Sequence, residues 1–143
     1  MKPIHILLVE DNAGDVLLIK EAFEEARIIN EISTVGNGEA AINFLEKLEP
    51  YQESESPDLI LLDINMPRKN GIEVLDHIKK SEVLRQIPVI MLTTSSDDND
   101  ILKSYQSHAN CYITKPVNMD DFMDTISKIE AFWVQLVKLP PKV

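Results

Sequence analysis

Four apolar runs in this chain each end on a side chain that phosphoryl transfer can use. Ile4-His5-Ile6-Leu7-Leu8-Val9 runs into Glu10-Asp11, and Asp58-Leu59-Ile60-Leu61-Leu62 into Asp63. Pro88-Val89-Ile90-Met91-Leu92 ends on Thr93, and Cys111-Tyr112-Ile113-Thr114 ends on Lys115-Pro116. Short continuous apolar runs separated by helical stretches read as strands of a parallel sheet buried on both faces. In such a sheet the ligand crevice lies beyond the carboxyl ends of the strands. Three carboxylates, a hydroxyl and an ammonium therefore converge, and their chemistry is that of a metal and phosphate site.

A carboxylate that attacks phosphorus meets a group already ringed by negative oxygens. A Mg²⁺ ion offsets that repulsion and bridges carboxylate to phosphoryl oxygen. Mg²⁺ prefers octahedral oxygen ligands and keeps several waters, so one or two direct carboxylates suffice. On this reading Asp11 and Asp63 ligate directly and Glu10 acts through water, while Lys115 neutralises a second phosphoryl oxygen and Thr93 donates to a third. Each residue also has a plain alternative. Glu10-Asp11 can be a helix N-cap, Asp63 a turn former, Thr93 with Thr94-Ser95-Ser96 a cap for the next helix, and Lys115 an exposed lysine. Their joint placement at the strand ends of one sheet weighs against chance.

The elements that must position these groups follow from periodicity. Strand one covers about 4–10, and a first helix runs from roughly Gly14 to Ala26 with Val16, Ile19, Phe23 and Ala26 on one face. A short second strand lies near Glu31–Val35. A second helix covers about 38–48, with Ala41, Leu45 and Leu48 at helical spacing. The acidic, proline-bounded segment Glu49–Pro57 is a loop whose composition allows partial disorder. Strand three ends at Asp63, a third helix spans about Gly71–Ser81, strand four ends at Thr93, a fourth helix begins near Ser96, and strand five ends at Thr114. The last helix, capped by Asn118 with Asp120 and Asp121 at its positive end, continues to about Lys138, where Leu139-Pro140-Pro141 stops it. The expectation is one α/β domain over 1–143, a doubly wound five-stranded parallel sheet flanked by five helices, with an extended C-terminal helix and tail over about 119–143.

Composition narrows the partners. The formal charge of −10, from 24 acidic and 14 basic residues, argues against nucleic acid or an anionic membrane surface, both of which need basic patches. No apolar run reaches the length of a membrane span, the N-terminus lacks a signal-peptide pattern, and a single cysteine, Cys111, suits a reducing cytoplasm. The four glycines (Gly14, Gly36, Gly38, Gly71) form no phosphate-cradling loop after strand one, which disfavours a dinucleotide- or flavin-binding module. An aspartyl-phosphate phosphatase needs a second acid two positions beyond its nucleophile, and Asn65 stands there.

Together these residues resemble a response-regulator receiver domain over nearly the whole chain. The resemblance is carried by Ile6-Leu7-Leu8-Val9-Glu10-Asp11-Asn12, by Asp63-Ile64-Asn65-Met66-Pro67 with Gly71, by Thr93-Thr94, and by Tyr112-Ile113-Thr114-Lys115-Pro116. The separations of 30 positions from Asp63 to Thr93 and 52 from Asp63 to Lys115 are those of the family. The resemblance implies a flavodoxin-like strand order 2-1-3-4-5 and a phosphoacceptor signalling domain, not an enzyme. It makes Asp63 the phosphoacceptor, places Glu10, Asp11 and Asp63 around Mg²⁺, and gives Asn65 a metal-ligating backbone carbonyl. It makes Thr93 and Tyr112 a coupled switch acting on the face of the fourth helix, fifth strand and fifth helix, makes Lys115 the phosphate-binding lysine, and implies a cis Lys115–Pro116 bond. Glu10 departs from the aspartate of many members, and His108 stands where most carry glycine. His5, His77 and His108 are read as structural.

A finer resemblance to phytochrome-associated response regulators rests on His108-Ala109-Asn110-Cys111-Tyr112, the loop at 49–57 and the tail Phe132-Trp133…Leu139-Pro140. It implies a bacterial or cyanobacterial phytochrome histidine kinase as phosphodonor. The alternatives are a phosphorelay intermediate and a phosphorylation-independent interaction module. The receiver fold uses the chain nearly to its end, so the signal is expected to be read by another protein, passed on, or expressed as self-association. Phe122, Ile126, Ile129, Trp133 and Leu136 form a stripe widened by Met119, Met123, Phe132 and Val137. Phe132 and Trp133 are the expected anchors of a homodimer. Leu17, Leu18 and Ala22, off the core stripe of the first helix, suggest a kinase-docking surface.

Overall fold

The computed structural model describes residues 4–25, 30–64, 66, 68–93, 111–115, 120, 121 and 124, with Thr93 and Cys111 described by backbone alone. Five strands, β1 (Ile4–Val9), β2 (Asn30–Val35), β3 (Leu59–Asp63), β4 (Val89–Thr93) and β5 (Cys111–Thr114), pair in parallel in the order β2-β1-β3-β4-β5. This is the flavodoxin-like order. Three helices, α1 (Ala13–Glu25), α2 (Gly38–Leu45) and α3 (Gly71–Lys80), connect the first four strands, and Asp120, Asp121 and Asp124 are also helical. The expected fourth helix, the Lys115–Pro116 bond, and the tail bearing Phe132 and Trp133 lie outside the described residues.

Both faces of the sheet are apolar because both are covered. Ile4, Ile6 and Leu8 of β1, with Leu59, Leu61, Ile90, Leu92 and Ile113, form one core with Ile19 and Phe23 of α1. Leu7 and Val9, with Ile60, Leu62, Val89 and Met91, form the other with Ala41, Phe44 and Leu45 of α2 and Val74, Leu75 and Ile78 of α3. The period-2 alternation of side chains divides each continuous run between the two cores. The chain passes from β1 outward to β2 and then across to β3, so the direction of winding reverses between β1 and β3. That reversal opens a crevice at their carboxyl ends.

Several boundaries differ from expectation, each for a local reason. Helix α2 stops at Leu45 because Lys47 takes φ 58°, a left-handed value. Its N–H donates to the Phe44 carbonyl (3.2 Å) and that of Leu48 to the Asn43 carbonyl (2.9 Å), a pairing that closes a helix end. Leu48 therefore leaves the apolar stripe and is exposed. The loop expected to be partly disordered is folded back instead. Tyr51 packs against Phe44 with ring centroids 5.4 Å apart and planes tilted by 56°, and the Ser54 hydroxyl donates to the Phe44 carbonyl (3.0 Å). Helix α3 starts at a reciprocal cap, in which the Asn70 side chain accepts from the Glu73 N–H and the Glu73 carboxylate from the Asn70 N–H. A 3₁₀ turn at Leu84–Gln86, which periodicity did not signal, begins with the Leu84 N–H donating to the Ser81 hydroxyl (3.1 Å).

Candidate functional site

The strand register brings the acids together. Val9 pairs with Leu62, so the next step along both strands sets Glu10 beside Asp63. Each is pinned at the edge of the crevice by its backbone or its neighbour's. The Glu10 N–H donates to the Val35 carbonyl (3.0 Å), and the N–H of Ile64 donates to the Leu92 carbonyl (3.1 Å). Carboxylate oxygens of Glu10, Asp11 and Asp63 lie within 4.8 Å of one another. Glu10 and Asp63 are buried and Asp11 is exposed, so the trio spans the wall and the mouth of one cleft.

Lys115, one residue past β5, supplies the ammonium. Its Nζ donates to Glu10 Oε2 (2.8 Å) and to Asp15 Oδ2 (3.0 Å), and it stands 3.6 Å from Asp63 Oδ2. Burial alone would lower its pKa, but the hydrogen bonds to Glu10 and Asp15 and the charges of Asp63 and Glu10 hold it above the ordinary lysine value of 10.5. The ammonium is therefore fixed as a cation at neutral pH.

Side chains of Lys115 and Glu10 are 6% and 0% exposed, so this is a desolvated cluster in which, among the described residues, one cation faces two buried carboxylates and two at the rim. Like charges so close leave a deficit of positive charge, which an all-oxygen donor set is suited to fill with a hard divalent ion. Glu10 has both oxygens engaged, Oε1 by the Asn12 N–H (3.1 Å) and Oε2 by Lys115. It is thus less available for direct ligation than Asp11 or Asp63.

The loop after Asp63 is held by close approach. The Gly71 N–H donates to the Ile64 carbonyl (2.8 Å), and a Cβ on Gly71 would collide with the Asp63 carbonyl. Arg68 (φ 50°) and Lys69 (φ 69°) are consecutive left-handed non-glycine residues, at a cost of roughly 1 kcal/mol each. Of the other expected site residues, Thr93 ends β4 and pairs with Thr114, Tyr112 is half-buried against the α2–α3 core, and Asn65 lies outside the described residues. His5 sits at the opposite end of β1, with Nε2 2.9 Å from the Ser33 hydroxyl, its ring edge-on to Phe44, and Nδ1 unpartnered among the described residues. His77 pairs with Glu46 at 3.3 Å.

Asp15 was not singled out from the sequence. The available signal was its spacing of four from Asp11, which sets it on the same side of the helix entrance.

Residues 6–127 match the sequence model of the response regulator receiver domain. The chain belongs to that family. It is 44% identical over 138 residues to the response regulator Rcp1 of Synechocystis sp., covering 96% of this chain and 94% of that protein. Among solved structures it resembles the phosphorylated cyanobacterial phytochrome response regulator RcpA, with TM-score 0.80 and 42% identity, covering 97% of this chain and 99% of that one. It also resembles the Mn²⁺-bound form of Rcp1, with TM-score 0.78 and 43% identity over 96% of this chain and 99% of that one. The chain is thus a receiver domain of two-component signalling, related to phytochrome response regulators. Among the described residues no helix is long and apolar enough to cross a membrane.

Proposed function

We propose that the protein receives a phosphoryl group on Asp63 from the phosphohistidine of a phytochrome-type histidine kinase in the cytoplasm. The reading is supported above all by the buried Asp63 carboxylate standing with Glu10 and Asp11 oxygens within 4.8 Å and with the Lys115 ammonium 3.6 Å away. An Asp63 carboxylate oxygen forms the new bond to phosphorus as the phosphorus–nitrogen bond of the donor breaks. The imidazole leaves with the electron pair. Asp11 and Asp63, with Glu10 through water and the Asn65 carbonyl, would hold a Mg²⁺ ion, which when bound offsets the charge of the phosphoryl oxygens. That a similar regulator is found Mn²⁺-bound supports a divalent ion here. Lys115 holds one phosphoryl oxygen and the Thr93 hydroxyl another. Thr93 in turn vacates space that Tyr112 enters, remodelling the surface around β5. Pairing with a second copy through Phe132 and Trp133 belongs to the same proposal and rests on the residue pattern.

The test is labelling with a small phosphodonor. With Mg²⁺ present, wild type is expected to take up one acid-labile phosphoryl group, Asp63→Asn none at that position, and chelation to slow uptake strongly. Undiminished labelling of Asp63→Asn would move the acceptor elsewhere, and indifference to chelation would remove the metal role of Glu10 and Asp11.

A further inference from the structure

We propose that Asp15 is a positioning residue that competes with the incoming phosphoryl group for Lys115, and so sets how readily Asp63 is phosphorylated. The inference rests on the reading of Asp63 as the phosphoacceptor. Lys115 Nζ has three N–H bonds, and two of them are spent on acids other than Asp63: Glu10 at 2.8 Å and Asp15 at 3.0 Å. Asp63 at 3.6 Å is close enough for attraction but beyond a good hydrogen bond. A third N–H is left for a phosphoryl group on Asp63, but turning the ammonium onto that group draws it away from the α1 side and strains its bonds to these two partners.

The two partners are not equal. The Glu10 side chain is 0% exposed, and its other oxygen is held by the Asn12 N–H at 3.1 Å. Losing its cation would leave a buried carboxylate uncompensated, the costly case. The Asp15 side chain is 26% exposed, so water can solvate it when the lysine departs. It also stands in the first turn of α1, where the Asp15 N–H donates to Asn12 Oδ1 at 2.9 Å and the helix field favours an anion. Asp15 is therefore the partner that lets go. While it holds on, it draws Lys115 toward α1 and adds a negative charge that a phosphoryl group must approach.

Asp15→Ala removes both effects. At fixed Mg²⁺ and with acetyl phosphate below saturation, it is expected to label on Asp63 about fivefold faster than wild type, the change that release of one partly exposed ion pair to Lys115 brings. The variant should also lose phosphate more slowly. Glu21→Ala, which removes an exposed charge further along α1, serves as the net-charge control and should track wild type. In a Lys115→Met background the gain from Asp15→Ala should be clearly smaller, because the competition has lost its object and only the charge effect is left. A second readout needs neither metal nor phosphate: the nitrogen resonance of the Lys115 ammonium in metal-free protein should shift in Asp15→Ala and stay put in Glu21→Ala. An unchanged or slower labelling rate, an unmoved ammonium resonance, or an equal gain in the Lys115→Met background would each overturn the role of Asp15 while leaving Asp63 as acceptor. Failure of wild type to label on Asp63 would remove the phosphoacceptor reading and this inference with it.

Discussion

Lys115 is the cation that faces Glu10, Asp15 and Asp63 among the described residues, and its removal tests the electrostatic account. Lys115→Met leaves Glu10 and Asp63 buried without their cation, so a loss of about 2–3 kcal/mol of stability is expected near neutral pH. The pH dependence has a definite sign. The folded-state pKa of Lys115 is raised above 10.5, so its ammonium is more favourable in the folded than in the unfolded chain. That contribution is fully present below the unfolded value and fades as pH rises through the folded one. Lys79 runs the other way, since burial lowers its pKa. Wild type and Lys115→Met should therefore differ most in urea midpoint between neutral and mildly alkaline pH and converge only in strong alkali, as pH rises through the raised folded value. A gap that stays constant into strong alkali would show that packing of the lysine stem, not its charge, stabilises the site.

Among the elements, the connection from β3 to α3 is tightly approached, and Gly71 at its end with Gly36 and Gly38 before α2 give a built-in comparison. A Cβ on Gly71 would meet the Asp63 carbonyl and stand 2.8 Å from Ile64 Cα. One on Gly38, at the start of α2, would meet the Lys69 carbonyl and come within 2.8 Å of Val74 Cγ2. A Cβ on Gly36 would meet nothing within 4 Å. Gly71→Ala and Gly38→Ala should each cost about 2 kcal/mol or more because backbone must move, whereas Gly36→Ala should be neutral or gain a few tenths through the unfolded state. Thermal melting of the three variants side by side checks this, and equal losses at Gly36 and Gly71 would count against the close approach. None of these tolerances is written in hydrophobic periodicity. The runs ending at Glu10, Asp63, Thr93 and Lys115 were legible because parallel strands bury both faces and expose their ends. The acids of β1 and β3 then fell together through the register of two adjacent strands. Harder to read was what depends on one dihedral or one long-range contact. The left-handed turn at Lys47 cut α2 short and exposed Leu48, the Tyr51–Phe44 contact folded the acidic loop, and the reach of Lys115 across the sheet recruited Asp15. Ala22, expected off the core, is buried because it precedes Phe23 on the turn of α1 that meets the sheet.

At the scale of the molecule, the question is how a partner reaches Asp63. The chain is strongly acidic, at −10, so a docking partner gains long-range attraction by being basic but needs an apolar contact for a stable register. Helix α1 offers one. Leu17 and Leu18 are 57% and 47% exposed, and they follow Asp15, which touches Lys115 inside the crevice. Two or three residues along a helix is a rise of only about 3–5 Å, so both leucines are level with the mouth of the site, Leu18 on the Asp15 side of α1 and Leu17 turned away from it. Single exposed leucines are common on protein surfaces, but an adjacent pair near the proposed acceptor cleft would suit a partner that brings a phosphohistidine to Asp63. Leu17→Glu or Leu18→Glu should slow phosphotransfer from the kinase by about tenfold, as expected for a charge placed in the apolar part of a contact. Labelling by acetyl phosphate should stay at the wild-type rate, because neither side chain reaches Asp63 or Lys115 in any hydrogen bond. Parallel loss of both activities would point to misfolding of α1, and unimpaired transfer from the kinase would place docking on another face.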